Sequence, residues 1–214
     1  MTMKEIQSMN VKRVLSMLSL VVLAVFAGNG AAAQGRFIEA HFGFAQTPSG
    51  SGVSLLSDIQ SPQSVPSLGI SVGWPLAEHS TLGVTYSRDF SIFRRQTFQE
   101  QYGLNRLCCE LLSNKEILSD VTCTTGFTLG ALMASNMVQV GETTDSYNRY
   151  GVTVGAKLGV GYKVGNTRFG VMYECYAGGF LSKVYEVPQN LGLPTAGGRG
   201  CWGHSLMLTT STSF

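Results

Sequence analysis

Residues 149–180 read RYGVTVGAKLGVGYKVGNTRFGVMYECYAGGF, and how this stretch folds decides the architecture. Gly165 and Asn166 stand between two alternating segments, and Gly at the first of two turn positions suits a primed hairpin turn with φ > 0. Folding there sets Tyr162 against Phe169, Val160 against Val171, Leu158 against Tyr173, Ala156 against Cys175 and Val154 against Ala177 on one face. The other face pairs Gly161 with Gly170, Gly159 with Met172, Lys157 with Glu174 and Gly155 with Tyr176. One register thus yields an apolar face and a small or polar face, and a slip by one residue would scramble both. It also places Lys157 opposite Glu174, a favourable cross-strand pair.

The same alternation recurs along the chain. Ile38, Ala40, Phe42 and Phe44 oppose Glu39, His41 and Gly43; Leu68, Ile70, Val72 and Trp74 oppose Gly69, Ser71 and Gly73; Leu82, Val84, Tyr86, Phe90 and Ile92 oppose Gly83, Thr85, Ser87, Asp89 and Ser91. A period of two over such lengths is a strand signal. Arg88 interrupts the apolar face near one end of its strand, where a long side chain snorkels to a polar boundary. Eight strands are expected, the last over 201–214. Short connections at 75–80, somewhere within 124–136, and at 165–166 alternate with long ones at 46–66, 93–115, 143–148 and 181–200. Two places fit the turn between strands 4 and 5, residues 124–126 and 134–136. Residues 93–120 are the least regular, and the spacing of Leu104, Leu107, Cys108 and Leu111 is compatible with a short helix inside a loop.

Residues 1–33 have the pattern of a secretory signal peptide. Lys4, Lys12 and Arg13 precede an uncharged apolar run at 14–27, and Ala31, Ala32 and Ala33 offer small residues for cleavage before Gln34. The run is short of the ~20 apolar residues of a spanning helix. Removing 1–33 leaves a domain at 34–214 with 12 basic and 12 acidic residues, so the basicity of the whole chain belongs to the signal and nothing points to nucleic acid. Residues 121–141 are uncharged but too rich in Thr, Gly, Ser, Asn and Gln for a membrane helix.

Alternation alone fits a soluble barrel with its apolar face inside or a membrane barrel with that face outside. Glycines crowd the non-apolar face, as a narrow lumen requires. Trp74, Tyr86, Phe90, Tyr162, Phe169, Trp202 and Phe214 gather toward strand ends, the pattern of interfacial aromatic girdles. With the signal peptide, segments such as TLGVTYSRDF and the terminal Phe214, these features resemble the small eight-stranded outer-membrane β-barrels, of which the OmpA transmembrane domain and OmpX are members. The resemblance implies an all-β, antiparallel up-and-down transmembrane barrel in the outer membrane of a Gram-negative bacterium. It implies outer-membrane lipid as surroundings and assembly machinery that reads the last strand at Phe214, although Thr210 and Thr212 stand where apolar residues are usual. A ligand or surface met by the external loops is the remaining expected partner.

Chemistry-bearing residues are sparse. Gly159-Val160-Gly161 lies mid-strand, outside the strand–loop–helix setting of a nucleotide site. Some barrels of this size modify lipid with a His and a Ser or acid on one face, but His204 and Ser205 are neighbours and point oppositely. His41 shares a face with Glu39, with no serine evident beside them. The five cysteines, 108, 109, 123, 175 and 201, show no metal-ligand spacing. Neither a cofactor nor an enzyme activity is expected. The lumen should hold a structural charge network of Lys157, Glu174 and Glu39. The rival readings are a barrel enzyme acting on outer-membrane lipid and a secreted soluble barrel binding an apolar ligand. Parity separates Cys175, on the apolar face, from Cys201, in the lumen, so the two are not expected to form a disulfide.

Overall fold

Each of the eight strands pairs with the next, and the last returns to the first. The computed structural model describes residues 36–46, 64–95, 98–181 and 200–214. The strands are β1 (Phe37–Gln46), β2 (Ser64–Ala77), β3 (Ser80–Arg95), β4 (Phe98–Leu118), β5 (Val121–Val140), β6 (Thr143–Val164), β7 (Thr167–Phe180) and β8 (Gly200–Ser213). They form a closed antiparallel barrel in sequence order. Closure runs from Phe37 opposite Ser213 to Ala45 opposite Ser205. The Phe214 N–H donates to Arg36 O at 3.0 Å, extending the seam.

The β6–β7 hairpin has the register expected from its pattern, with Lys157 opposite Glu174 and Val164 opposite Thr167. Its turn is made by Gly165 and Asn166, with Gly165 at φ 61°. Alternation sends Leu158, Val160, Tyr162, Phe169, Val171 and Tyr173 outward, each between 42% and 55% exposed. A continuous apolar belt of this kind around a monomer requires a nonaqueous environment.

Four expectations are corrected. The β4–β5 turn is at Ser119 and Asp120, not at 124–126 or 134–136, which lie inside β5. Asp120 takes φ 69°, a conformation that Asp tolerates better than most residues. Gly126 and Ala134 look like turn residues only because the interior there needs small groups: a Cβ on Gly126 would strike Leu112. The segment 104–111, whose spacing allowed a short helix inside a loop, is part of strand β4, because Leu104 and Cys108 face inward while Leu107 and Leu111 face outward. Apolar residues on both faces of a strand imitated a helical spacing. The loops expected at 93–115 and 143–148 are strand over nearly all their length. The β5–β6 turn is only Gly141 and Glu142, with Gly141 at φ 58°. The proposed signal peptide and most of the expected loops at 46–66 and 181–200 lie outside the described residues.

The barrel is therefore of unequal height. β1, β2, β7 and β8 have 10, 14, 14 and 14 residues, whereas β4, β5 and β6 have 21, 20 and 22. A tilted strand crosses a bilayer in ~9–11 residues, so the long strands rise beyond the belt as a wall away from the termini. Along this wall the polarity inverts. In β6 the outward residues are apolar from Tyr162 to Tyr150 and then become Asn148, Ser146 and Thr144, while Tyr147 turns inward and is buried. In β5 they run Phe127, Leu129, Ala131, Met133, then Ser135, with Leu132, Ala134 and Val138 buried inside. In β4 Leu107 and Leu111 face out below Asn105, and Tyr102 and Leu104 are buried inside. The inversion falls on one ladder row: Asn105 pairs with Met133 and Met133 with Tyr150.

All five cysteines are free, Cys175 being exposed and Cys201 buried. Cys175 pairs across the strand with His204, and Cys201 with Gly178. Non-reducing peptide mapping of the folded protein should find no Cys175–Cys201 crosslink, and an apolar, membrane-soluble maleimide should label Cys175 but not Cys201. A native crosslink would mean a shifted β7 or β8.

Candidate functional site

The interior is where the charged chemistry collects. Inward parity brings Glu39 and His41 from β1, Ser67 and Ser71 from β2, Asp89 from β3, Arg106 and Glu110 from β4, Lys157 from β6 and Glu174 from β7 into one lumen, all buried. Room for these long groups comes from glycine on the neighbouring strands. A Cβ on Gly83 would lie 2.9 Å from Glu110 Oε1, one on Gly161 2.8 Å from Arg168 Cδ and one on Gly203 2.7 Å from Tyr176 Oη. The glycine-rich face noted in the sequence is thus the complement of the charged side chains.

Three ion pairs cross the lumen. Lys157 Nζ donates to Glu110 Oε2 at 2.6 Å, Arg106 Nη1 lies 3.1 Å from Glu174 Oε2, and Arg168 Nη2 lies 3.1 Å from Glu39 Oε2. Lys157 and Glu174 are therefore neighbours in register whose ion pairs are with β4. Side chains in so narrow a ring reach across it, and Arg106 and Glu110, four residues apart on the same face, present one cation and one anion to the β6–β7 pair. Arg168 also donates from Nη1 to Asn114 Oδ1 at 3.1 Å and Thr124 Oγ1 at 3.2 Å. Asp89 accepts from Ser67 Oγ at 2.6 Å and from Tyr176 Oη at 3.4 Å. The Arg106 guanidinium carbon lies 3.9 Å from the centroid of the Tyr176 ring.

Sequence reasoning placed Lys157, Glu174 and Glu39 in the lumen but assigned Arg106 and Glu110 to a loop and left Arg168 and Asp89 without a role. Strand parity would have found the first two, since Arg106, Cys108 and Glu110 alternate with Leu107, Cys109 and Leu111. Ser71 was also missed as a companion of His41: the His41 Nε2 to Ser71 Oγ distance is 2.8 Å. Glu39 Oε1 approaches the same ring nitrogen, at 3.6 Å. A hydrolytic triad needs the acid on the opposite ring nitrogen from the serine, so these three form a packed polar contact rather than a relay. Among the described residues no group of three or more His, Cys, Asp or Glu could hold a metal ion.

Apolar side chains also enter the lumen. Toward the terminal end the Phe37 ring occupies the space beside Gly73. On the other side Tyr102, Leu104, Leu132, Ala134, Val138, Tyr147, Tyr176, Phe180 and Cys201 form one apolar cluster.

Comparison with solved structures finds the same topology. Neisserial surface protein A (NspA) matches with a TM-score of 0.60 at 16% identity, over 86% of this chain and 100% of that one. This is the fold of the small outer-membrane β-barrels. Ail, the attachment invasion locus protein of Yersinia pestis, matches with a TM-score of 0.56 at 12% identity over 86% and 100% of the two chains. A major outer membrane protein of Thermus thermophilus gives 0.51 at 11% identity with the same coverage. No protein-family model and no curated protein matches the sequence. The likeness lies in the fold: eight antiparallel up-and-down strands with an apolar exterior and a polar, filled interior.

Removing one partner of a buried ion pair leaves an uncompensated charge and costs about 3 kcal/mol or more. Glu110→Ala and Glu174→Ala should each lower the denaturation midpoint clearly. Glu116→Ala, exposed near the end of β4, should stay within about 0.5 kcal/mol of wild type. Replacing Lys157 and Glu110 together by Met and Leu should cost less than either single change. Equal midpoints for Glu110→Ala and Glu116→Ala would contradict the lumen network.

Proposed function

We propose that this barrel resides in the outer membrane of a Gram-negative bacterium and serves a non-catalytic role, structural or in contact with a surface or ligand outside the cell. Residues 1–33 direct export and are removed, and the assembly machinery reads the last strand, ending at Phe214. The barrel end that carries Phe37 and Phe214 faces the periplasm and the tall wall of β4 to β6 projects outward. The observation that carries this reading is the polarity inversion: an apolar belt sized for a bilayer, topped by strands whose outer face is polar. Thr144, Ser146 and Asn148 are exposed there on a hydrogen-bonded sheet, a rigid platform of the kind that suits recognition. Support for a surface role also comes from Ail, whose name describes attachment and invasion. Against a lipid-modifying enzyme stands the placement of His41 and Ser71, inside the ring with one ring nitrogen shared between serine and acid.

Two measurements test the placement and the role. An epitope inserted between Gly141 and Glu142 should be stained on intact cells, and one between Gly165 and Asn166 only after the outer membrane is permeabilised. The reverse pattern would invert the topology, and recovery of the protein in the soluble fraction would overturn the membrane reading. Lipid A from cells with and without the protein should have the same mass spectrum; a protein-dependent mass change would favour the enzyme.

A further inference from the structure

Arg88 is out of place on the lipid-facing wall. It stands on the outward face of β3 with Leu82, Val84, Tyr86 and Phe90. Among the residues whose side chains are described, the other outward positions of the apolar belt carry no charge, and Lys115, also outward, lies near the periplasmic end of β4. An arginine facing lipid costs about 2–4 kcal/mol at the bilayer midplane and little near the interface. Eight residues up a tilted strand from Ser80 is about 20 Å along the barrel axis, near the far edge of a belt about 25 Å tall.

Three independent features mark the same place. Arg88 pairs across the strand with Asn105, which belongs to the row on which wall polarity inverts. The guanidinium rests over Gly103, where a Cβ would lie 3.3 Å from Nη2, 3.5 Å from Nε and 3.7 Å from Cζ. The floor beside it is hydrogen-bonded: Tyr86 Oη donates to Asn105 Oδ1 at 2.8 Å, and Asn105 Nδ2 donates to the Met133 carbonyl at 3.3 Å. Among the described residues none of the five ion pairs includes Arg88. A planar cation thus lies on the barrel wall at headgroup depth, half-exposed beside Tyr86 and above Gly103, with no carboxylate partner among the described residues.

We infer that Arg88, seated on Gly103 and beside the Tyr86–Asn105 pair, is a binding site for the phosphate of an anionic membrane lipid. Arginine suits this because its fork of N–H groups meets two phosphate oxygens at once. Gly103 keeps the fork flat against the sheet, so the phosphate binds beside the barrel while the acyl chains lie along Leu107 and Leu129 below. The inference rests on the membrane placement proposed above, and its test leaves that placement separately readable.

The detergent-solubilised, full barrel is incubated with equimolar phosphatidylglycerol and phosphatidylcholine, and lipid retention is read by native mass spectrometry. Wild type should retain phosphatidylglycerol preferentially. Arg88→Gln should reduce that preference about five-fold, the worth of roughly 1 kcal/mol per cation near an anionic surface. Lys115→Gln should leave the preference unchanged. Gly103→Val keeps the charge but lifts the guanidinium, and should also reduce retention. Circular dichroism confirms that each variant is folded, and if Arg88→Gln fails to fold, Arg88→Lys replaces it, with a partial loss expected. Equal retention by wild type and Arg88→Gln, or equal loss in Lys115→Gln, would overturn the site. Membrane fractionation of the same variants reports on placement, so a barrel that stays in the membrane without lipid preference refutes this inference alone.

Discussion

The structure depends on charge neutralisation inside a ring too narrow for solvent to do it. Closing eight strands leaves space that side chains just fill, and a charge turned inward is tolerated where other inward groups pair with it or hydrogen-bond it, as Ser67 and Tyr176 do for Asp89. Arg106, Lys157 and Arg168 meet Glu174, Glu110 and Glu39, so the three pairs sum to no net charge. Because the partners come from β1, β4, β6 and β7, the pairs tie together strands that do not touch through the backbone. The ladder bonds only adjacent strands; the lumen charges act between strands two or three places apart around the ring.

This constraint explains the glycine distribution. A long side chain on one strand needs an absent one opposite, and Gly83 under Glu110, Gly161 under Arg168 and Gly203 under Tyr176 are such vacated positions. The closest approaches are between backbones: a Cβ on Gly130 would strike the Leu107 carbonyl, and one on Gly151 the Gly179 carbonyl. These glycines weaken the strands as isolated elements, a cost glycine carries in any strand interior. At Gly83 and Gly161 the missing side chain leaves room for Glu110 and Arg168 to reach their partners, and an unpaired charge in the lumen would cost more than the glycine does.

Much of the fold was legible because a period of two survives in a single sequence. The β6–β7 register followed from matching one apolar face to another around Gly165, and the strand count and inward position of Lys157, Glu174 and Glu39 followed from parity. What was not legible was where strands end when they leave the membrane. Beyond Tyr150 the outward residues become polar, and beyond Met133 they are mixed (Ser135, Met137, Gln139), so the alternation that marked a strand weakens or reverses and the segments resemble loops. Residues 143–148 were misread for this reason. The error over 98–115 has a second source: apolar residues on both faces hid Arg106 and Glu110, whose partners lie far away in sequence. A pairwise contact such as Lys157 with Glu110 is set by the curvature of the ring, which no local pattern encodes.

The polarity inversion also explains why one sheet can serve two media without a domain boundary. Within the belt lipid accepts apolar side chains outside, leaving the polar set for the interior. Above the belt water takes the outer face, and the same strands bury Tyr102, Leu104, Leu132, Ala134, Val138 and Tyr147 inside. The backbone does not change: β5 and β6 stay paired from Val121 opposite Tyr162 to Val140 opposite Thr143. Only the polarity carried by each face switches, near the row of Asn105, Met133 and Tyr150. The row marks a physical boundary because a residue on either side of it, placed by the rule of the other side, would set a polar group in lipid or an apolar one in water. A cation that belongs to neither medium alone is stable on the boundary itself, and it is there that Arg88 lies flat against Gly103.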